Sequence, residues 1–588
     1  MSVSNPQTSG DELDAELEWE LDEGIPQFED PFIQKYLGGR EALIAQEKKQ
    51  RHDQAFKGAM SPMAWEAARI MSLVRKRELE TVWTGEFEEE LAHKNNGNLF
   101  PGMMFMLARD RMEKTDLWKI ISKMPKGSIL HAHMDAMIDT DWLLEQAFEI
   151  PGYHITSNEP LVSQKALDYG PFEFRYIPEG TTQTTDSIWT TSYKPNTPVP
   201  ISAAASSFPG GLEAFKSWVI SRMVITADES LFHHHGLDEV WRKFQSCFIV
   251  IDGLFYTEPI FRRCIPRLLD QLHSDGIKYV ELRLAFGRPW FRANSSTPEP
   301  NYLYFFQCFE EELSAYKSSP SGAGFWDARI LWTAIRKFDN HGILANMKNC
   351  IECKLAYPHL ISGFDFVAQE DKGRPLVDLI SLCFWFRKAC AENGLEIPFF
   401  FHAGECLGDG NSTDNNLFDA ILLGTRRIGH GFSLYKHPLL IDMAKDKRIL
   451  IECCPISHEI LRLTNSILSH PMPALHSRGV PVSLSNDDPA ILGHGKNGLT
   501  HDFYQTYLAF DNLGLEGLGT MAENSVKWSA FEDETQADWT KGIKMGKAGT
   551  GVKGERVREW NQDFEKWCEW VVKEFALTVD DEEEDVED

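Results

Sequence analysis

Two histidines one residue apart, His131 and His133, close the apolar run GSIL and are followed by MDAM. In an extended strand, residues i and i+2 project to the same side, so the two imidazoles leave the backbone together in a geometry that suits a metal. His-x-His alone is common in chains that bind nothing, so further ligands must come from elsewhere. The candidates are His402 and Glu405 in HAGE, His430 in GHG, Ser457 with His458 after IECCPI, and Asp487 with Asp488 in SNDDP. Each has a simpler reading by itself: a satisfied strand-end histidine, a buried hydrogen-bonding histidine, a helix cap before a proline. Together, His131, His133, His402 and Asp487 make a nitrogen-rich set of three imidazoles and one carboxylate. That set suits one zinc per chain, with a position left for water.

Residues this far apart need a scaffold that gathers them. Eight short, strongly apolar runs are separated by helix-length stretches: GSILHAHMD, IKYVELRLAF, ARILWTAIRKF, LISGFDFVAQE, IPFFFHAGE, RRIGHGFSL, ILIECCPIS and VPVSLSNDDP. Continuous β-rich runs are what parallel strands buried on both faces look like. Eight of them alternating with helices predict an α/β protein, a (β/α)8 barrel of the TIM type. The C-terminal strand ends of such a barrel line one mouth, where Glu281 and Arg283 of the second run would join the histidines and aspartates.

The barrel is expected over residues 124–545, with a helical extension before it at 28–123, where apolar and charged positions alternate at helical spacing. An insertion after the first strand, 151–209, carries loop and turn signals such as YKPNTPVP. A C-terminal helical region is expected at 546–579, opening on the Gly-rich connection GKAGTGVKG, which fits neither phosphate-loop template. The acidic ends, 1–27 and 580–588, read as disordered. The triplet His233–His235 lies away from any strand end and is given no metal role. Cys350 and Cys353 form a lone CxxC, read as structural.

With 59 basic and 88 acidic residues, the formal charge of −29 opposes binding to nucleic acid or an anionic membrane. No run of about 18 apolar residues predicts a membrane span. The first residues show neither a basic leader nor an apolar core, and all 11 cysteines lie at or after Cys247. The expectation is a cytoplasmic protein with reduced thiols.

HAHMD, HAGE, GHG and SNDDP, in this order, resemble the adenosine and AMP deaminase superfamily from about Gly127 to Phe531. KGSILHAHMDAMIDTDWL, YVELRL, ISGFDFVAQED, IECCPIS and HDFYQTYLAF resemble its adenosine deaminase growth factor branch. The resemblance implies hydrolysis of adenosine and 2′-deoxyadenosine to the inosine nucleosides and ammonia. Glu405 would deliver a proton to ring N1, His430 would orient the attacking water and stabilise developing charge, and Asp488 would hold that water. Asp135 would contact the ribose hydroxyl and Trp241 would cover the nucleoside. It also implies a homodimer through the N-terminal helices and an insertion linked to receptor or glycan binding. Family members are typically secreted, with a disulfide in the insertion; this chain has no cysteine there, so non-classical export is the alternative to the cytoplasm. Two positions depart from the family pattern: Ala368 stands where glycine is usual, and His458 where asparagine is usual. The alternatives are an AMP or modified-adenine deaminase using the same site, and a non-catalytic growth-factor-like binding protein. The other zinc deaminase class is set aside because its P-C-x-x-C is missing.

Overall fold

The computed structural model describes residues 19–94, 104–178, 187–231, 236–495 and 498–584. His233–His235 lie outside them. Among the described residues, eleven strands occur in chain order: β1 (Gly127–His133), β2 (Tyr153–Ser157), β3 (Phe172–Tyr176), β4 (Val199–Pro200), β5 (Ile277–Phe286), β6 (Asp327–Ile335), β7 (Ile361–Val367), β8 (His402–Ala403), β9 (Arg427–His430), β10 (Leu450–Cys453) and β11 (Val482–Leu484).

All eight apolar runs contain barrel strands. β1-β5-β6-β7 and β8-β9-β10-β11 form two parallel four-stranded sheets. Two seams close them into a barrel. At one, Phe364 N donates to Pro398 O (2.9 Å) and Phe400 N to Phe364 O (3.1 Å). At the other, His133 N donates to Asp487 O (2.9 Å) and Asp487 N to His131 O (3.2 Å). The second seam bonds the backbone of the His-x-His strand to the aspartate that its side chains face.

Helices Leu303–Lys317, Asn340–Ala356 and Leu376–Glu392 connect the strands from β5 to β8. Their starts are chemically marked; the Asp339 side chain accepts from Gly342 N (2.8 Å) and caps the second of them. Cys350 and Cys353 are buried inside that helix. In the insertion, the turn-rich sequence folds into an antiparallel sheet of order β3-β2-β4.

The N-terminal extension is helical. Ser61 caps helix Pro62–Thr81, which has proline in its first turn and buries Ala64, Ala67, Ile70, Met71 and Val74, packing against the C-terminal helix Val552–Glu584. Helix Pro31–Lys48 buries no residue. Two expectations for the acidic ends are corrected. Residues 19–22 are helical, and the tail expected to be disordered from Asp580 continues the C-terminal helix to Glu584. An established helix gains one hydrogen bond for each residue it adds, which can outweigh an acidic composition that disfavours starting one. Among the described residues, no helix is long and apolar enough to cross a membrane.

Candidate active site

The predicted residues meet at the C-terminal mouth of the barrel. His131 and His133 end β1, His402 opens β8, His430 ends β9, and Asp487 and Asp488 follow β11. The His131 ring lies 4.5 Å from those of His402 and His430 and 5.6 Å from that of His133, centroid to centroid. Asp487 Oδ1 is 3.3 Å from His131 Nε2 and 3.4 Å from His133 Nε2. Ligand atoms of His131, His402, His430 and Asp487 fall within 4.8 Å of one another, and those of His133, Asp487 and Asp488 form a second such group.

The close approach depends on GHG: a Cβ on Gly429 would stand 2.8 Å from His131 Cε1, so no side chain fits beneath that ring. Three of the seven described non-glycine residues with positive φ are at the mouth. His430, Asp487 and Ala368 have φ of +65°, +57° and +87°, a region that side chains with a Cβ enter at a cost. Ala368 therefore occupies a conformation that favours glycine.

Beneath the histidines lies a buried ionic layer. Glu452 Oε2 accepts from His131 Nδ1 (2.9 Å) and from Arg283 Nη2 (2.7 Å). Asp365 Oδ2 accepts from His402 Nδ1 (2.6 Å) and from Arg283 Nε (3.0 Å). Arg427 joins Glu452 to Glu281. Glu281 and Arg283, expected at the mouth, belong to this layer. Burial would raise the Glu452 carboxyl, but Arg283, Arg427 and His131 hold it well below the ordinary range. Both carboxylates accept Nδ1–H, so His131 and His402 direct Nε2 lone pairs into the site. His131 Nε2 is buried without a hydrogen-bond partner, the state expected of an atom suited to a metal.

Glu405 sits on the turn after β8, fixed because Glu370 accepts from Gly404 N (3.2 Å) and from Glu405 N (2.7 Å). Burial, with the Asp487 and Glu370 charges, pushes its carboxyl well above the usual range. Burial and the adjacent Asp487 raise Asp488 similarly. Asp487 resists its own burial because His430, His131 and His133 surround it. Burial lowers His402 and His430 well below 6.5, keeping both neutral.

A cleft of about 260 Å³ opens above these groups. Trp241, Phe244 and Phe248 give it an apolar wall, and Ala368 lies on its lining. Asp135 is also on the lining, as is Asp252, whose Oδ2 is 2.6 Å from Arg288 Nε. Burial raises both aspartates above the ordinary carboxylate range. A larger cavity, about 710 Å³, is lined by residues such as Phe399, Arg426 and Trp539 and includes none of the candidate residues, so the smaller, polar-floored cleft is the chemically meaningful one.

Sequence reasoning missed Glu452, Asp365, Asp252, Arg288 and His470. The first two left a trace, a lone acid inside the apolar runs ILIECC and ISGFDFV.

The family model "Adenosine deaminase" matches residues 223–545. An adenosine deaminase of Lutzomyia longipalpis is 33% identical over 74% of this chain and 80% of its own. Adenosine deaminase 2 of Sus scrofa is 31% identical over 75% of this chain and 81% of its own, and adenosine deaminase 2-A of Danio rerio 29% over 78% and 86%. With the metal-suited cluster at the mouth of its barrel, the chain belongs to the adenosine deaminase family, in the adenosine deaminase growth factor branch.

Proposed function

We propose that the protein is a zinc-dependent hydrolase that converts adenosine and 2′-deoxyadenosine to the inosine nucleosides and ammonia, with His131, His133, His402 and Asp487 holding one zinc. The observation that carries this reading is the pair His131 and His402. Each has Nδ1 bonded to a buried carboxylate, which leaves the Nε2 lone pair for a metal. Zinc bound there supplies a Lewis acid that brings the pKa of water toward neutrality.

The chain's own groups do the rest. The adenine ring is electron-rich, and attack at C6 needs a proton at N1; Glu405, whose burial favours the protonated form, donates it. His430 and Asp488 flank the same floor and orient the attacking water, and His430 stabilises the charge that develops. Trp241 covers the base and Asp135 accepts a hydrogen bond from the ribose hydroxyl. Adenosine is preferred to AMP because Arg288, one of the two cations on the cleft lining with Lys337, is already engaged by Asp252. Mixing the protein with adenosine tests the activity: absorbance in the adenosine band falls as inosine forms, and an unchanged spectrum rules it out.

We further propose a cytosolic protein, supported by eleven cysteines that are all free and buried. Counting thiols under denaturing, non-reducing conditions should return all eleven, and accumulation in the medium contradicts the compartment. A homodimer through the N-terminal helices is supported by helix Pro31–Lys48, which exposes Phe32 (83%), Tyr36 (69%) and Leu43 (69%). Sedimentation should show a dimer that Phe32→Ser weakens, and a monomer at all concentrations removes the proposal.

A further inference from the structure

From His430 a line of imidazoles runs away from the site. His430 Nδ1 is 3.0 Å from His458 Nε2, His458 Nδ1 is 2.8 Å from His470 Nε2, and His470 Nδ1 accepts from the backbone N–H of Met472 at 3.0 Å. All three rings are buried; the planes of His458 and His470 are inclined to each other by 16° and those of His430 and His458 by 51°.

A backbone amide can only donate, so the line has one direction. Met472 N–H occupies the lone pair on His470 Nδ1, and the His470 proton must sit on Nε2. That proton is donated to His458 Nδ1, which places the His458 proton on its own Nε2, and this in turn is donated to His430 Nδ1. His430 is left with its proton on Nε2, the nitrogen that faces the site 3.5 Å from Glu405 Oε1. Protonating His458 or His430 a second time would set two N–H groups against each other.

We infer that His458 and His470 are positioning residues that lock His430 as an Nε2–H donor, so that among four neighbouring imidazoles His430 alone is barred from ligating the metal and from acting as a base. This rests on the hydrolase reading above. His430 lies in the same ligand-atom cluster as His131 and His402, and distance alone does not separate them. Their Nδ1 partners do. A carboxylate accepts from His131 and from His402 and leaves an Nε2 lone pair, whereas an N–H donates to His430 and leaves an Nε2 proton. A proton cannot be relayed out along the line, because it ends on an amide that cannot release one. His430 therefore acts on the attacking water and the developing charge as a fixed hydrogen-bond donor. His458 is the residue that departs from the family pattern, and here it bridges His430 to His470.

Cys453, His458 and His470 also lie close enough to hold a metal of their own. The hydrogen bonds argue against this: Met472 N–H occupies the His470 Nδ1 lone pair, the 2.8 Å contact joins His470 Nε2 to His458 Nδ1, and His458 Nε2 is engaged by His430 Nδ1.

Imidazole nitrogen NMR of the histidine-labelled zinc protein tests the inference, with signals assigned by their loss in His430→Gln, His458→Gln and His470→Gln. The expected pattern is Nε2–H on His430, His458 and His470 and Nδ1–H on His131 and His402. A proton on His430 Nδ1 overturns it, as does a second equivalent of zinc that Cys453→Ser removes. Turnover gives an independent reading. His458→Leu should lower kcat about 10²-fold, the order expected for loss of one aligned donor, with KM and zinc content near those of the parent. His458→Gln, which keeps an N–H near the Nε2 position, should recover most of that loss. Equal kcat for the Leu and Gln variants with zinc retained overturns the inference. If the parent protein does not turn over adenosine, the hydrolase reading fails, while the ring protonation is still read from the spectra.

Discussion

Arg283 joins the two carboxylates that orient the candidate ligands: its Nη2 bonds Glu452, the partner of His131, and its Nε bonds Asp365, the partner of His402. One buried guanidinium thus ties together ligands that come from β1 and β8. Glu452→Gln removes the charge that Arg283 and Arg427 share and the acceptor that sets the His131 ring. Breaking one side of a buried ionic network costs about 3 kcal/mol or more, and losing such an orienting partner lowers metal affinity roughly 10- to 100-fold. Urea unfolding and zinc titration check both effects. Parent-like stability and affinity would mean that the layer fills space without orienting anything.

Glu405→Gln should fold and keep its zinc, because Glu405 lies outside the proposed ligand set. It should lose roughly 10² to 10⁴ in kcat, since an amide cannot deliver the ring proton. Steady-state kinetics with metal analysis decide it, and near-parent turnover with zinc bound removes Glu405 from the acid role.

Ala368→Gly should stabilise the protein by about 1 kcal/mol, because φ of +87° is open to glycine and costly for alanine. Thermal unfolding reads the change, which should appear as a higher Tm. A lower Tm would show that the alanine methyl contributes packing that outweighs the strain.

Adenosine should exceed AMP in kcat/KM by about 10²-fold, the cost expected when a phosphate of roughly −1.5 to −2 charge enters a poorly solvated site beside a carboxylate. Asp135→Asn should narrow that gap about tenfold by lowering the local negative charge. If AMP is the better substrate for the parent protein, Asp135 does not meet the ribose end and the nucleotide reading replaces this one.

The barrel was legible because parallel strands buried on both faces leave continuous apolar runs, and several of these runs carry candidate residues at the C-terminal end. The histidines of HAHMD and the pair in SNDDP needed no knowledge of contacts. Glu452 and Asp365 did, because their partners lie across the barrel and sequence spacing says nothing about distance through its interior. Arg283 reads from the sequence as a mouth residue, since the level of a charged strand residue in the barrel is not fixed until its carboxylates are located. His470 stood in a loop, SILSHPMP, that only the folded chain brings beside His458. In the insertion, Pro and Ser signals dominated the short alternating run FEFRY, which pairs as β3.

The central claim is that one zinc, held by His131, His133, His402 and Asp487, makes this chain an adenosine deaminase. The most direct test is to strip the protein of metal with a chelator, return zinc in steps, and measure inosine formation at each step. The account predicts no turnover without metal, a linear rise, and a plateau at about one zinc per chain, the stoichiometry of a single four-ligand site. Full turnover by the metal-free protein, or no turnover of adenosine at any zinc loading, would contradict it.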